Sequence, residues 1–359
     1  MIKILIITPL LDLPGGVSNY IQLLVKQMDK EKFEIKYLFV GKRGLFWKDF
    51  SYPLLIFIQF IKLKKLLKDY QPNLIHLNPS LQNIAIFRDF IFLKIIKKED
   101  CKILLFIHGW QENIGKKFQS IFWKHYFKKR FEMADAIVVL ANQFKRNLVE
   151  LGINANKIYV STTMVESELY LPEEKNFSAP YNILFCANMK EEKGPFEIID
   201  AAPIILNKFP NTKFIFIGKG KDLIKLKKKS KELGIEKNII FTGYISMENK
   251  VMIFKKSHIF IFPSFHGEGF PTVILEAMAA GLPIITTPIA GLVDAIENDK
   301  EGLILNIKPS AIEVANKITQ LLENPNLMKK ISKNNLNEIK EKYDVKIVSR
   351  KIFEIYDNL

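Results

Sequence analysis

Apolar residues along this chain fall into two kinds of run. One kind is short, continuous and rich in β-branched residues. In the first half these runs are Lys3–Ile7, Ile35–Val40, Leu74–Leu77, Lys102–Ile107, Ala136–Leu140 and Lys157–Val160. In the second half they are Asn182–Ala187, Lys213–Ile217, Asn238–Phe241, Ile259–Phe262, Pro283–Thr286 and Gly302–Leu305. The other kind is longer, has helical spacing and separates the short runs. Strands apolar on both faces and alternating with helices predict parallel sheets covered on both sides. Two such series predict two doubly wound α/β domains. The stretch "LYLPEEKNFSAPYN" (Leu169–Asn182) is rich in proline and charge and has neither period, so it places the break, with one domain over 1–172 and another over 173–340. Helical spacing returns at the end, with Ile347, Phe353 and Tyr356 among its apolar positions.

Length agrees with two domains, since 359 residues exceed one ordinary core. Charge adds something new. The 53 Lys and Arg against 38 Asp and Glu leave a formal +15, and the excess is larger in residues 1–175 than in the remainder. Such a surface suits nucleic acid, an anionic membrane or a phosphorylated substrate. A lysine-rich background composition gives the same excess. The two cysteines, Cys101 and Cys186, sit in strand-like runs and read as buried thiols in a reducing compartment. The apolar start "MIKILIITPLL" meets Asp12 with no small-residue cleavage site, Pro53–Ile61 is too short to span a bilayer, and Ile84–Ile96 is interrupted by Arg88, Asp89 and Lys94. The expectation is a cytoplasmic protein, with the inner face of the cytoplasmic membrane as a surface it could rest on.

The chemistry-bearing residues cluster just after strands, where open parallel sheets bind ligands. Gly15 and Gly16 lead from the first strand into a helix; they read as a phosphate loop or as a plain turn. His108 ends another strand in "FIHGW", where its ring or its backbone carbonyl could meet a sugar hydroxyl, against the alternative of a satisfied structural histidine. Lys193, before Gly194, is placed to meet a diphosphate or simply to be solvated. The strongest signal is "FHGEGFPTVILEAMAAGLP" (Phe265–Pro283). Glu268 lies in a Gly-rich turn, Gly269 and Phe270 can present N–H groups at the helix start after Pro271, and Glu276 falls among residues that predict burial. A buried carboxylate needs hydrogen bonds, which a ribose diol or neighbouring backbone would supply. No D-x-D pair follows a strand and no His/Cys/carboxylate cluster has zinc spacing, so neither metal nor cofactor is expected.

Glu268 to Pro283, E-G-F-P-x-x-x-L-E-A-M-A-x-G-L-P, resembles the signature of the retaining nucleotide-sugar glycosyltransferases of family four, which have the GT-B fold: two Rossmann-like domains facing across a cleft. "LLDLPGGVSNYIQLL", "FIHGW" and "MADAIVVLANQFKRNLVELGINANKIYVS" are similar to family elements of the N-terminal domain, and "AGLVDAIENDKEGLIL" to the stretch after the second glutamate, with Asp294 where a glutamate is usual. The resemblance implies an N-terminal acceptor-side domain, onto which a terminal helix over about 341–359 packs back, and a C-terminal nucleotide-sugar-binding domain. It implies that Glu276 binds the donor ribose and that Glu268 holds hydroxyls of the transferred sugar, with backbone near Gly269 and Phe270. Gly16 approaches the diphosphate, Lys193 pairs with it, and His108 contacts the sugar. The acceptor is then a hydroxyl of a glycan or lipid-linked molecule, in surface polysaccharide or glycolipid assembly. One departure is clear: Asn188 stands where the family usually has an arginine for the diphosphate, so either another cation serves or the donor is held differently. Rival readings are a sugar phosphorylase, a nucleotide-sugar epimerase, and a basic nucleic-acid-binding protein. The last lacks any recognisable binding motif or ordered basic-aromatic array.

Overall fold

Each continuous apolar run forms a strand; the central ones, such as Leu74–Leu77, Ala136–Val139 and Ile259–Phe262, are covered on both faces, whereas the edge strands are partly exposed. The computed structural model describes residues 1–13, 15–41, 52–81, 83–109, 120–265 and 269–359. The chain divides into two compact units, Met1–Thr163 with Val345–Leu359, and Met164–Asp344. It leaves the first unit at Thr163, ahead of the Pro- and charge-rich stretch that the sequence suggests as the break.

In the first unit the order is β1 (Ile2–Thr8), α1 (Gly16–Lys26), β2 (Phe33–Phe39), α2 (Tyr52–Tyr70), β3 (Leu74–Leu77), α3 (Asn83–Ile96), β4 (Lys102–Ile107), α4 (Ile121–Phe131), β5 (Ala136–Val139), α5 (Asn142–Glu150) and β6 (Ile158–Val160). The sheet runs β2-β1-β3-β4-β5-β6 with every neighbouring pair parallel. The second unit contains α6 (Ser167–Tyr170), β7 (Asn182–Cys186), α7 (Pro195–Lys208), β8 (Lys213–Ile217), α8 (Leu223–Glu232), β9 (Ile239–Gly243), α9 (Met247–Lys256), β10 (Ile259–Phe262), α10 (Thr272–Ala279), β11 (Ile284–Thr286), β12 (Gly302–Ile304), α11 (Ala311–Leu322) and α12 (Pro325–Glu338). Its sheet, β12-β11-β10-β7-β8-β9, is also all parallel.

After a π-helical turn at Ile339–Tyr343, α13 (Val345–Asp357) belongs to the first unit. It buries Val348, Ile352, Ile355 and Tyr356, and the Tyr356 hydroxyl lies 2.5 Å from Nδ1 of buried His76 in β3. Burial pulls His76 down to about 4, so its ring is neutral, and Nε2 has no hydrogen-bond partner among the described residues. Tyr356→Phe would leave both ring nitrogens unpaired. We expect a loss of about 1–2 kcal/mol, seen as a lower urea midpoint at unchanged slope.

Two of the three charges that interrupt the apolar run of α3 pair with each other, and the third, Lys94, is exposed. Arg88 and Asp89 are buried 2.6 Å apart, and Asp89 also accepts the Ser80 N–H at 2.9 Å. Among the described residues no helix is long and apolar enough to cross a membrane. Cys186 is buried, but Cys101 is only partly so, which corrects the expectation of two buried thiols: it precedes β4 at the rim of the sheet.

Candidate functional site

Strand order reverses between β1 and β3 in the first unit and between β7 and β10 in the second. At such points the loops after neighbouring strands diverge and leave a crevice at the carboxyl edge. The described residues singled out by sequence follow strands on these edges.

In the first unit Gly15 precedes α1 with an extended backbone, and no side chain caps the helix. A Cβ added at Gly16 would meet nothing within 4 Å, so the glycine leaves open space above uncapped N–H groups rather than serving the packing. His108 follows β4, stacks on Phe106 at 4.2 Å between centroids and meets the Tyr20 ring edge-on. Its Nε2 lies 2.7 Å from Oδ1 of Asn78. The Asn78 amide nitrogen donates to the Ile7 carbonyl at 3.1 Å, which turns Oδ1 toward the histidine. Nε2 must therefore carry the proton, and Nδ1 is left as an acceptor. Burial first, then His76, holds the imidazole well below its ordinary pKa, so it stays neutral. The hydroxyls of Thr8, the last residue of β1, and Ser161, just after β6, are buried with no hydrogen-bond partner among the described residues.

In the second unit a 3-10 turn, Glu191–Lys193, follows β7. Gly194 ends it with φ +79°, and a Cβ there would lie 2.4 Å from the Pro263 carbonyl oxygen, so only glycine fits. The turn is stitched to the segment after β10: the Phe265 N–H and the Ser264 hydroxyl both donate to the Glu192 carbonyl, at 3.1 and 3.2 Å. It is stitched to the loop after β8 as well, where Asp222 accepts the Glu191 N–H at 3.2 Å. Lys193 is thus carried on a turn fixed between two neighbouring loops. Burial pulls its pKa down to about 8, with Glu192 opposing. Asn188 is exposed, and its carbonyl accepts the Lys190 N–H at 2.8 Å.

No side chain caps α10, whose N-cap is Pro271. The helix starts at the carboxyl end of β10, its Ile274 N–H donating to the Pro271 carbonyl at 3.1 Å, while the Gly269 carbonyl accepts the Gly291 N–H at 3.0 Å. The Phe270 side chain is core, its ring 5.8 Å from that of Tyr343, which leaves only its backbone for a ligand. Glu276 is 6% exposed, as its neighbours predict. Its partner is neither backbone nor solvent. Nζ of Lys250, on α9, lies 2.5 Å from Oε2, close enough for an ion pair though not directed as a hydrogen bond. Burial lowers the Lys250 pKa, but the Glu276 carboxylate more than offsets it, and the ammonium ends above its ordinary value. Tyr170, on α6, packs here too: burial and then the Glu276 charge push its hydroxyl pKa up strongly. At the end of β7, burial drives the Cys186 thiol up to about 12.

Sequence reasoning missed Asn78, Tyr170 and Lys250, because each acts through a tertiary contact rather than a local motif. Glu268 lies outside the described residues. Among the described residues no group of three or more His, Cys, Asp or Glu side chains is arranged to hold a metal ion.

Two family models match the chain: Glycosyl transferases group 1 over residues 168–338 and Glycosyltransferase Family 4 over residues 14–169. An uncharacterised glycosyltransferase of Methanocaldococcus jannaschii is 29% identical over 283 residues, covering 75% of this chain and 71% of that protein. The capsular polysaccharide biosynthesis glycosyltransferase CapM of Staphylococcus aureus is 24% identical, covering 61% of this chain and 58% of its own length. Among solved structures, Anabaena HepE in complex with UDP and glucose superposes with a TM-score of 0.76 at 16% identity, over 100% of both chains.

Proposed function

The chain belongs to the group 1 glycosyl transferases, glycosyltransferase family 4, and from that premise we propose that it transfers a hexosyl unit, with retention, from a nucleoside-diphosphate sugar to a hydroxyl of a glycan or lipid-linked acceptor. The observation that carries this reading is the buried Glu276 carboxylate, tied at Oε2 to Lys250 on the carboxyl side of a parallel sheet. A carboxylate so placed suits a ribose diol, whose two hydroxyls donate to it. Lys193 and the uncapped N–H groups of α10 face the diphosphate, and Glu268 holds hydroxyls of the sugar. In the first unit, neutral His108 offers Nδ1 to a sugar hydroxyl.

In the proposed step the acceptor oxygen attacks C1 from the face the phosphate leaves. The C1–phosphate oxygen bond breaks as the new glycosidic bond forms, and the acceptor proton passes to the departing phosphate. The protein's part is to hold both reactants and to stabilise the charge growing on the diphosphate. No side chain is assigned as nucleophile. HepE was solved with UDP and glucose, and CapM takes part in capsular polysaccharide biosynthesis, which supports a nucleotide sugar as donor and a surface glycan as product. The reading places the chain in the cytoplasm.

A thermal-shift panel of nucleoside diphosphates and their sugars tests it. A specific donor should raise the melting temperature by mass action and be consumed only when acceptor is added. A panel that shifts nothing removes the reading. Turnover without acceptor would instead indicate an epimerase, and dependence on inorganic phosphate a phosphorylase. Because cationic side chains and backbone N–H groups carry the diphosphate in this proposal, saturating EDTA should leave the transfer rate within about twofold. Activity lost to EDTA and restored by Mg²⁺ or Mn²⁺ would contradict that.

A further inference from the structure

Among the described residues, the first unit has two buried arginines with opposite surroundings. Arg88 is matched by Asp89 at 2.6 Å. Arg130, 7% exposed at the end of α4, has no carboxylate partner among the described residues: its guanidinium lies 4.8 Å over the Tyr126 ring, and its Nε is buried with no hydrogen-bond partner among them. The acids nearby are engaged elsewhere, Glu132 with Lys128 at 3.6 Å and Asp135 with Lys97 at 4.0 Å. A buried cation without a counter-charge is costly. The missing charge is one a ligand can bring.

Arg130 lines a cavity of about 300 Å³ between α3 and α4, together with Lys94, His125 and Lys129 and the rings of Phe122 and Tyr126; no acidic residue lines it. Lys94, Lys129 and Arg130 stand in the last turns of their helices, which lead into the amino ends of β4 and β5. That is the edge of the sheet opposite to Gly16 and His108. At the start of α4, Ile121 and Phe122 are 88% and 71% exposed, and Phe87 and Ile91 of α3 are exposed on the same layer, with Phe87 6.0 Å from Trp123. On α2, which packs on α3, Leu54, Phe57, Ile58 and Ile61 form an exposed stripe at helical spacing, followed by exposed Lys62, Lys65 and Lys68.

We propose that the α3–α4 cavity binds the phosphate of an anionic lipid headgroup, and so seats the first unit on a membrane surface. Arg130 supplies the buried, bidentate donor. Lys94 and Lys129 neutralise the phosphate from the rim. Ile121 and Phe122 enter the headgroup–acyl boundary, as exposed apolar residues beside a basic surface do. The α2 stripe extends the same contact. This inference goes beyond sugar transfer and stands without it.

Flotation of the full chain with phosphatidylcholine vesicles, with and without phosphatidylglycerol, tests the proposal. The protein should float only with the anionic vesicles and be released at high salt. Neutralising the two exposed lysines (Lys94→Gln with Lys129→Gln) should lower partitioning about thirtyfold, and Phe122→Ser should lower it with no change of charge. The charge-matched control Lys228→Gln with Lys231→Gln, on the exposed face of the second unit, should float as the unmodified chain does. The proposal is overturned by equal flotation with neutral and anionic vesicles, or by equal loss in the control. It is overturned equally if inorganic phosphate raises the melting temperature through Lys94 and Lys129 while vesicles of either kind are ignored.

Discussion

Replacing Lys193 by alanine is expected to lower kcat about a hundredfold, or about 3 kcal/mol in the barrier. A leaving diphosphate must be neutralised as its bond to C1 stretches, and the residue at 188, where the family usually has an arginine, is an exposed amide. An amide adds one neutral hydrogen bond, so Asn188→Ala should cost less than tenfold. Burial brings the Lys193 pKa down to about 8, which makes a second readout. The protonated form is the useful one. In the free enzyme it is present below about 8 and lost as pH rises through that value, so kcat/KM for the donor should fall on the alkaline side. Lys193→Arg keeps a cation at every accessible pH and should move that fall out of range. If Asn188→Ala proves the more damaging change, or if the alkaline limb survives in Lys193→Arg, the diphosphate sits elsewhere.

Glu276→Gln is expected to weaken donor binding by about 1.5–3 kcal/mol, roughly ten- to a hundredfold, because a charged acceptor is lost. The preference for a ribonucleotide donor over its 2′-deoxy analogue should collapse with it. A glutamine that keeps this preference would remove Glu276 from the ribose. The Lys250 ion pair adds a stability effect. Glu276→Gln leaves an ammonium that is only 20% exposed without its counter-charge, and Lys250→Met leaves the carboxylate in the same position. Breaking a fully buried pair costs about 3–5 kcal/mol. With the lysine tip partly wet, the expected loss for either change is nearer the lower end. The double variant should recover part of it, since neither charge is then stranded. Urea unfolding of the three variants measures this. Strict additivity would mean that the two side chains do not interact.

The parallel sheets were legible because their strands are apolar on both faces, a pattern that little else produces. Gly194 was legible in position but not in cause: its need for glycine comes from the Pro263 carbonyl, nearly seventy residues away in sequence. Burial of Glu276 followed from its neighbours, but its partner did not. Lys250 lies in "SMENKVMIFKK", which reads as an ordinary polar helix, and it meets Glu276 only because α9 and α10 flank one end of the sheet. Tyr170 stands in the stretch that reads as a linker, since a helix of one turn leaves no period to detect. The tautomer of His108 depends on an asparagine after a different strand, whose amide is oriented in turn by the carbonyl of a third. Such chains of hydrogen bonds have no signature in linear order.

The return of α13 to the first unit also bears on how the protein is made. All of the second unit, Met164–Asp344, leaves the ribosome before the segment that contributes Val348, Ile352 and Tyr356 to the core begun by β1. The unit synthesised second therefore has its whole core available first. The earlier sheet waits with the β3 histidine lacking its tyrosine partner, and with the apolar surface beneath α13 uncovered, until Val345–Leu359 has been made. Domains generally fold as units in order of synthesis. Here that order is reversed between the two units: the first closes after the second, and the exposed surface of its unfinished core is what a nascent-chain chaperone would meet.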